Sequence, residues 1–352
     1  MKKFLISFAF LSLIAAGVSG QSISLTNTFG GNSDNVGTSD FLKFDEDSDK
    51  KAAVVGDRIQ LDLASEHIDS RVRLNISGDK DFAPAIQGYV NFRPFQPVNI
   101  IGGNKFFWKW TTAGAYLAAI DDFLVHGKLA DDNGAGIIVN IAPEDKDFGF
   151  TFAGAVGARA SLDLNTGFQF YIKDALTLGF TGQDLTTESA SFGGYLALNF
   201  VKNLILNLGY TYNNTDSGYI QGSQHLAQFS TGYSFEDLPL SLYFDFLSGL
   251  NSNSNYNAEA GDYVKLDEGV PLYAAFRANY KFSDELNLNA SVKINHKLNA
   301  EDSLTSFTIY PYFDYKTRAG TFRSGIRLSL DDDKGYKGFN IPFSWQYKIA
   351  AK

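Results

Sequence analysis

Basic residues that alternate with apolar residues, as on one face of a β-strand, form the part of this sequence that could bind anions. Arg71 and Arg73 alternate with Val72 and Leu74. Because successive side chains of a β-strand point to opposite faces, residues two apart lie on the same face. Rows of such cations attract anions and repel cations. The pattern predicts an anion-attracting surface with these members: Arg58, Arg71, Arg73, Arg93, Lys105, Arg277, Arg323 and Arg327.

The elements that position these residues show a period of two. In the segment 272–294, two alternating strands of about ten residues flank the short polar turn 283–285, which predicts a β-hairpin. Other segments repeat the pattern, including 58–63 and 72–76, which are separated by a polar turn through Glu66 and Asp69. Tilted strands of roughly 9 to 11 residues cross a bilayer, and a membrane barrel has apolar outer and polar inner positions.

The number of strands and their connections favour a membrane barrel over a soluble sandwich. We count about eighteen strands, with sixteen inside the boundary error. Every second connection is short, and the three longest, which begin at Gly30, Phe107 and Ser248, all fall at the opposite end. This asymmetry is typical of outer-membrane barrels. The predicted fold class is therefore all-β: a transmembrane, antiparallel, up-and-down β-barrel.

The first twenty residues have a different character. Lys2 and Lys3 precede an apolar run, 4–16, and small residues follow, which predicts a secretory signal peptide at 1–20 with cleavage before Gln21. Residues 21–352 are then one barrel domain. No further apolar run reaches the roughly 20 residues of a membrane helix. The chain has no cysteine for a disulfide framework, and its net charge of -9 disfavours nucleic-acid binding.

One connection, 107–134, is unusually long and rich in aromatic and acidic residues. Its candidate site residues are Trp108, Trp110, Asp121 and Asp122, and the stretch 112–123 is compatible with a short helix. A connection of this length in a compact fold is usually functional or disordered, and its aromatic content argues against disorder. Trp108 and Trp110, together with Phe106 and Phe107, also leave open an aromatic track for sugars, with girdle or loop packing as the alternative.

The export signal, the even set of strands, the long third external loop and the aromatic closing strand together resemble bacterial outer-membrane porins. The resemblance covers essentially the whole mature chain and is one of pattern. It implies a water-filled channel in the bacterial outer membrane, and an inward fold of loop 107–134 that narrows it. Membrane lipid, lipopolysaccharide or an equivalent outer leaflet, and small hydrophilic solutes are the implied partners, and a homotrimer is open. The carboxyl terminus departs from the pattern, because Ala350, Ala351 and Lys352 replace a terminal aromatic residue.

These observations lead to a functional prediction with alternatives. The predicted function is passive diffusion of small hydrophilic solutes with a preference for anions, since basic inner positions outnumber the acidic Asp62, Asp163, Asp245 and Asp314. Asp121 and Asp122 are the expected opposing charges. Alternatively, the arginines pair with inner carboxylates and brace the wall. The second candidate function is that of an adhesin or structural barrel with a plugged lumen and partner-binding loops. A soluble exported β protein ranks third.

The sequence offers little for catalysis. The four histidines are scattered without metal-ligand spacing, and the run Asp331, Asp332, Asp333 lacks the spaced ligands of a calcium loop. We therefore expect no enzyme activity, no cofactor and no metal.

Overall fold

The described part of the chain is almost entirely β-strand. A computed structural model describes residues 22–31, 42–45, 56–76, 84–95, 98–103, 134–141, 147–157, 164–183, 185–186, 190–213, 225–250, 254–257, 262–265, 270–298, 305–333 and 335–351. Within these ranges, no helix has the length and apolar character that crossing a bilayer requires.

Twenty-three strand segments follow one another along these ranges. They are β1 (Ser22–Gly31), β2 (Leu42–Asp45), β3 (Gly56–Ala64), β4 (Ile68–Ile76), β5 (Pro84–Phe95), β6 (Val98–Gly103), β7 (Gly134–Ile141), β8 (Phe148–Gly157), β9 (Leu164–Ile172), β10 (Leu176–Gln183), β11 (Ser191–Leu198), β12 (Leu204–Asn213), β13 (His225–Ser234), β14 (Leu240–Gly249), β15 (Ser254–Asn257), β16 (Asp262–Lys265), β17 (Val270–Lys281), β18 (Leu286–Leu298), β19 (Ser306–Thr317), β20 (Gly320–Gly325), β21 (Arg327–Asp331), β22 (Gly335–Ile341) and β23 (Phe343–Ala351).

Antiparallel pairing joins these strands into one sheet of 21 segments, and β15 with β16 forms a separate hairpin. Consecutive strands pair from β3 to β14 and from β17 to β20, while β14 pairs with β17 and β20 pairs with β23. Strand β1 pairs both with β3 and with the last strand, β23. The hydrogen-bonded order therefore returns to its start. If β20 with β21 and β22 with β23 each count as one interrupted strand, eighteen full strands and the short β2 remain among the described residues. The predicted antiparallel up-and-down barrel of about eighteen strands is confirmed.

Two strands near the carboxyl terminus are interrupted. Ile326 separates β20 from β21, and Pro342, which has no N–H to give to the ladder, separates β22 from β23. Strand β19 pairs with both β20 and β21, so the interrupted strand still follows one partner. A register shift between Ser329 and Leu330 adds a bulge to the β21–β22 hairpin.

The connections differ between the two ends of the strands. At the end that we call the short-turn end, all eight connections between the described strands contain two to six residues, among them 282–285 and 318–319. At the opposite, long-connection end they contain three to thirty, the longest being 104–133 between β6 and β7. This distribution confirms the predicted asymmetry.

The sheet exposes apolar side chains on one face and buries polar side chains on the other, which is the reverse of the arrangement in a soluble protein. Phe152 and Phe180 are 48% and 52% exposed on one face, whereas Gln169 and Thr211 are fully buried on the other. Large exposed apolar side chains follow the first face along almost every strand. We call these the apolar face and the polar face. A sheet that exposes its apolar side and encloses its polar side suits a lipid surround.

One sequence-based placement was wrong. The turn between β3 and β4 contains only 65–67, where the Ser65 N–H donates to the Ile68 carbonyl at 2.8 Å. Asp69 therefore lies in β4, on the same face as Arg71, and not in a turn. The Ser65 hydroxyl also accepts the Ile68 N–H at 3.0 Å, which closes the turn two residues earlier than composition suggested.

Candidate functional site

Four of the predicted basic residues lie along the polar face of three neighbouring strands. The pairing register sets Asp62 opposite Arg71 and Gln60 opposite Arg73, with Arg58 one step closer to the long-connection end. Arg93 follows on β5, at the short-turn end. Positions two apart on a strand are about 7 Å apart. The four guanidinium groups therefore form a row from one end of the strands to the other.

Hydrogen bonds connect the middle of this row. Arg73 Nε donates to Gln60 Oε1 at 2.6 Å, and Gln60 Nε2 donates to Asp62 Oδ2 at 2.6 Å. Arg71 Nε donates to Asp62 Oδ1 at 2.5 Å. One carboxylate and one amide thus hold two arginines. The local charge stays positive because one anion is shared between two cations.

Arg93 is held in a similar way at the short-turn end. It forms an ion pair with Asp69 and donates to the carbonyl oxygens of Ser65 and Glu66, at 2.6 and 3.0 Å. Asn91 Nδ2 donates to the same Asp69 carboxylate at 2.9 Å. The side chain of Arg93 therefore closes over the β3–β4 turn and braces it.

A second arginine group lies on the strands near the carboxyl terminus. Arg323 pairs with Asp314 on β19, and its guanidinium lies 4.8 Å from the centre of the Tyr312 ring. Arg327 lies 4.8 Å from the ring centre of Tyr310. The two tyrosine rings stack on each other with centroids 4.6 Å apart. Stacking on an aromatic ring orients an arginine without removing its charge.

The two arginine groups belong to one continuous region. Strand β1 pairs with β3 on one side and β23 on the other, and β20 pairs with β23. The positions of β1 that share the polar face carry small side chains, such as Thr26 opposite Gln60. We call the six arginines of this region the basic arc. Its members are Arg58, Arg71, Arg73, Arg93, Arg323 and Arg327.

Exposure to solvent varies around the polar face. Side chains of the basic arc keep contact with solvent, as shown by Arg71 at 32% and Arg323 at 35% exposed. On the strands β9 to β14, by contrast, many polar-face residues are almost completely covered: Gln169, Thr211, Leu226 and Leu247 are each 0% exposed. Water therefore reaches these positions of the polar face less than it reaches the basic arc.

Part of this cover comes from Tyr195 on β11. Its hydroxyl donates to Gln169 Oε1 at 3.2 Å, so the ring crosses β10 between them. A Cβ at Gly179, the β10 residue beneath the ring, would lie 2.1 Å from a ring carbon of Tyr195. Glycine at this position is therefore what lets the ring lie flat against the sheet.

The structure brings six of the eight predicted basic residues together in the basic arc. Arg277 lies on β17, outside the basic arc, with its guanidinium 4.5 Å from the Tyr243 ring centre. Asp245 lies on the polar face of β14 at 2% exposed. The remaining predicted residues lie outside the described residues; they are Lys105, Asp163, Trp108, Trp110, Asp121 and Asp122.

Several residues of the site were not singled out from the sequence. Asp69 shares its strand parity with Arg71 and Arg73, and this signal could have placed it on the polar face. Gln60 alternates with apolar residues in the segment 58–63, but its bridging role depends on the register with β4. Nothing in the local sequence marks Tyr310 and Tyr312 as partners of arginines, because their alternation with Pro311 only indicates a shared face.

The described residues offer no candidate metal centre. Within the described ranges, no group of three or more histidine, aspartate or glutamate side chains has the geometry to hold a metal ion. His225 lies on the apolar face, where Tyr210 Oη and His225 Nδ1 are 2.5 Å apart. His296 lies on β18, and its Nδ1 is 3.1 Å from the hydroxyl of Thr305 in the connection that follows. The two histidines are thus in separate polar contacts.

The geometry defines a β-barrel with an apolar outer surface and an arginine-rich polar face. No protein-family model and no curated protein sequence matches the chain. Solved structures do match. The outer membrane protein OpdK from Pseudomonas aeruginosa aligns with a TM-score of 0.60 at 9% identity, covering 94% of this chain and 98% of that chain.

Two further structures have the same architecture. A BenF-like porin from Pseudomonas fluorescens Pf-5 gives a TM-score of 0.60 at 11% identity, with 94% of this chain and 98% of that chain covered. OccAB4 from Acinetobacter baumannii gives 0.63 at 7% identity, with 95% and 99% covered. At these identities the comparison establishes the fold. The chain has the antiparallel barrel fold of outer-membrane porins.

Proposed function

We propose that this protein is a bacterial outer-membrane channel for passive diffusion of small hydrophilic solutes, with a preference for anions. The observation that carries the proposal is the basic arc, a row of arginines that follows the polar face between the two ends of the strands. A path lined with guanidinium groups lowers the electrostatic energy of an anion and raises that of a cation.

The apolar face supports the membrane location. Aromatic and aliphatic side chains cover it, and Trp345 lies close to the short-turn end with its indole N–H donating to the Ala319 carbonyl at 3.1 Å. Tryptophan and tyrosine commonly lie at membrane–water interfaces. Short turns face the periplasm in outer-membrane barrels, so we assign the short-turn end to that side.

The charge balance supports the ion preference. Three carboxylates pair with members of the basic arc: Asp62, Asp69 and Asp314. These pairs set three carboxylates against the six arginines of the arc. The ion pairs therefore orient the arginines more than they neutralise the arc. The predicted bracing role and the predicted lining role are compatible in this geometry.

The structural neighbours agree with a channel. OpdK is an outer membrane protein, and the protein from Pseudomonas fluorescens is a BenF-like porin. By analogy we extend the proposal to connection 107–134, which we expect to fold inward and narrow the channel with Trp108, Trp110, Asp121 and Asp122. Passive diffusion through such a barrel involves no catalysis and no cofactor.

The test is an electrical measurement on the refolded mature protein in a planar bilayer. Stable conductance steps, and a reversal potential of the sign for anion selectivity in a salt gradient, are the expected result. Conductance steps with cation selectivity would refute the anion preference but would still support a channel. Folded, inserted protein without steps would refute the channel.

Complete burial of Leu226 and Leu247 on the polar face favours a second candidate function. A lumen filled along β9 to β14 is what a plugged structural or adhesive barrel would have. In that case the long-connection end would bind partners and the bilayer would show no conductance. The same electrical measurement therefore separates the two candidates.

A further inference from the structure

A polar cavity of about 510 Å³ lies on the polar face at the short-turn end, across β14, β17, β18, β19 and β20. Its polar lining includes Asn279, Asn287, Asn289, Asp314 and Arg323. We propose that this cavity is a binding site for an uncharged, hydroxyl-rich solute of mono- or disaccharide size. The inference rests on the proposed function, because the channel would deliver the solute to the cavity.

The register arranges the lining in two rows. Asn279 on β17 is opposite Asn289 on β18, which is in turn opposite Tyr312 on β19. In the next row, Asn287 lies between Lys281 and Asp314. Neighbouring strands are about 4.8 Å apart, so polar groups recur at that interval along each row. The cavity therefore offers repeated hydrogen-bonding groups to an extended solute.

The chemistry of the rows matches hydroxyl groups. A carboxamide offers both a donor and an acceptor, and a hydroxyl group can use both at once. Asn289 Nδ2 is 3.4 Å from Asp314 Oδ2, at the long limit for a hydrogen bond. A solute hydroxyl that donates to Asp314 and accepts from Asn289 would improve on this contact.

One acceptor atom of the cavity lining lacks a hydrogen-bond donor within the described residues. Asn279 Oδ1 is buried and has no hydrogen-bond partner in the described structure. A buried acceptor without a donor costs about 1 to 3 kcal/mol. A hydroxyl or a bound water that donates to this oxygen removes that cost. The volume exceeds the share of one water, about 30 Å³, by more than tenfold, and it falls within the range of ligand pockets.

Charge pairing around the cavity favours an uncharged ligand. Arg323 is bound to Asp314, and Lys281 Nζ is bound to Asp284 Oδ1 at 2.6 Å. A cation would meet Arg323 and Arg277, and an anion would have to displace the Asp314 carboxylate from Arg323. Leu238 and Pro239, from the β13–β14 turn, add an apolar border suited to C–H groups. A neutral polyol can hydrogen-bond to the polar lining through its hydroxyl groups and contact the apolar border through its C–H groups.

The test measures current interruptions by glucose and by sucrose through single channels, for the parent protein, three cavity variants and one control variant. Asn279→Leu and Asn289→Leu remove the amides at similar volume, and Asn279→Asp keeps an acceptor if the leucine variant fails to fold. The matched control is Asn295→Leu, on the same strand and face as Asn289 but about 20 Å closer to the long-connection end.

We expect interruptions by at least one sugar, with faster onset from the short-turn side. The dissociation constant should rise about three- to tenfold in Asn279→Leu and in Asn289→Leu. It should stay close to the parent value in Asn279→Asp, which keeps the acceptor, and in Asn295→Leu. Conducting channels without interruptions, or an equal effect of the control, would overturn the site. If the protein does not conduct, the proposed function fails, and saturation-transfer NMR with the same sugars and variants in detergent tests the site separately.

Discussion

Arg323 and Asp314 lie directly opposite each other on β20 and β19, and two hydrogen bonds join them. Nε donates to Oδ1 at 2.5 Å, and Nη2 donates to Oδ2 at 3.0 Å. The guanidinium also lies over the Tyr312 ring. Such a paired contact fixes the plane of the arginine as well as its position. The pair therefore orients one of the charges of the basic arc.

Replacing the Asp314 carboxylate tests whether it lowers the net positive charge of the basic arc. In Asp314→Asn the arc gains one uncompensated positive charge, so we expect stronger anion selectivity in bilayer recordings. Loss of the charge-assisted pair should lower the free energy of unfolding by about 1 to 2 kcal/mol in urea titrations. Asp237→Asn, in an exposed short turn, is the control. Weaker anion selectivity in Asp314→Asn would show that the carboxylate does not oppose the arc.

Reversing two charges in the middle of the arc tests the lining itself. The double variant Arg71→Glu with Arg73→Glu exchanges two cations for two anions beside Asp62. We expect the ratio of anion to cation permeability to fall several-fold, because like charge repels the permeating ion. Arg318→Glu, in the exposed β19–β20 turn, is the control for a charge reversal outside the basic arc. An unchanged reversal potential would remove these two arginines from the permeation path.

A charge on the apolar face tests the membrane surround. Phe180 is 52% exposed in the middle of β10, between Phe168 and Gly194 on the neighbouring strands. Phe180→Lys should destabilise the protein in phospholipid bilayers by about 2 to 4 kcal/mol, since a charged side chain near the midplane is costly. Phe200→Lys, in the turn after β11, should cost about 0 to 1 kcal/mol. Equal costs measured by urea titration would argue against a lipid-facing Phe180.

Alanine substitutions at two glycines with positive φ distinguish the cost of backbone strain from the cost of steric overlap. Gly320 has a φ of 130°, and a Cβ there would lie 2.3 Å from the Gln346 carbonyl oxygen. Gly335 has a φ of 74° and open space around a Cβ. Gly335→Ala should cost about 1 to 2 kcal/mol from backbone conformation alone. Gly320→Ala should cost more, because the β23 backbone must move, and urea unfolding of both variants measures the difference.

The long-connection end should be sensitive to acid through Asp332. Hydrogen bonds from the side chain and then the backbone of Thr305 hold the pKa of Asp332 below its usual range. A lowered native pKa stabilises the fold above the unfolded pKa of about 3.9, and this contribution is lost as the pH falls through the native value. Asp332→Asn should abolish this part of the acid dependence. Chemical denaturation of both proteins between pH 7 and pH 2 measures it, and parallel profiles would exclude Asp332.

Much of the architecture could be predicted because its signals are local. The hairpin predicted at 272–294 is observed as β17 and β18, with its turn at 282–285. The short turns and long connections were assigned to opposite ends correctly. Asp69 was misplaced because its polar neighbours, Glu66 and His67, suggested a longer turn than the one that the Ser65 hydroxyl closes.

The partners within the site could not be predicted. Arg71 was expected to face inward, but its contact with Asp62 depends on these residues being directly opposite. The stacking of Arg327 on Tyr310 depends in the same way on the register of β19 with β21, and on the interruption at Ile326. The role of the segment 107–134 stays a prediction.

The sequence by itself determined the strands, their two faces and the difference between the two ends. These features follow from a period of two and from the lengths of the polar connections, both of which are read along one strand at a time. Only the tertiary structure decided which arginine meets which carboxylate, amide or ring. The physical reason is that sliding a strand by two residues past its neighbour leaves every side chain on the same face, so the alternating pattern is satisfied by several registers, and the turns and packed side chains select one of them.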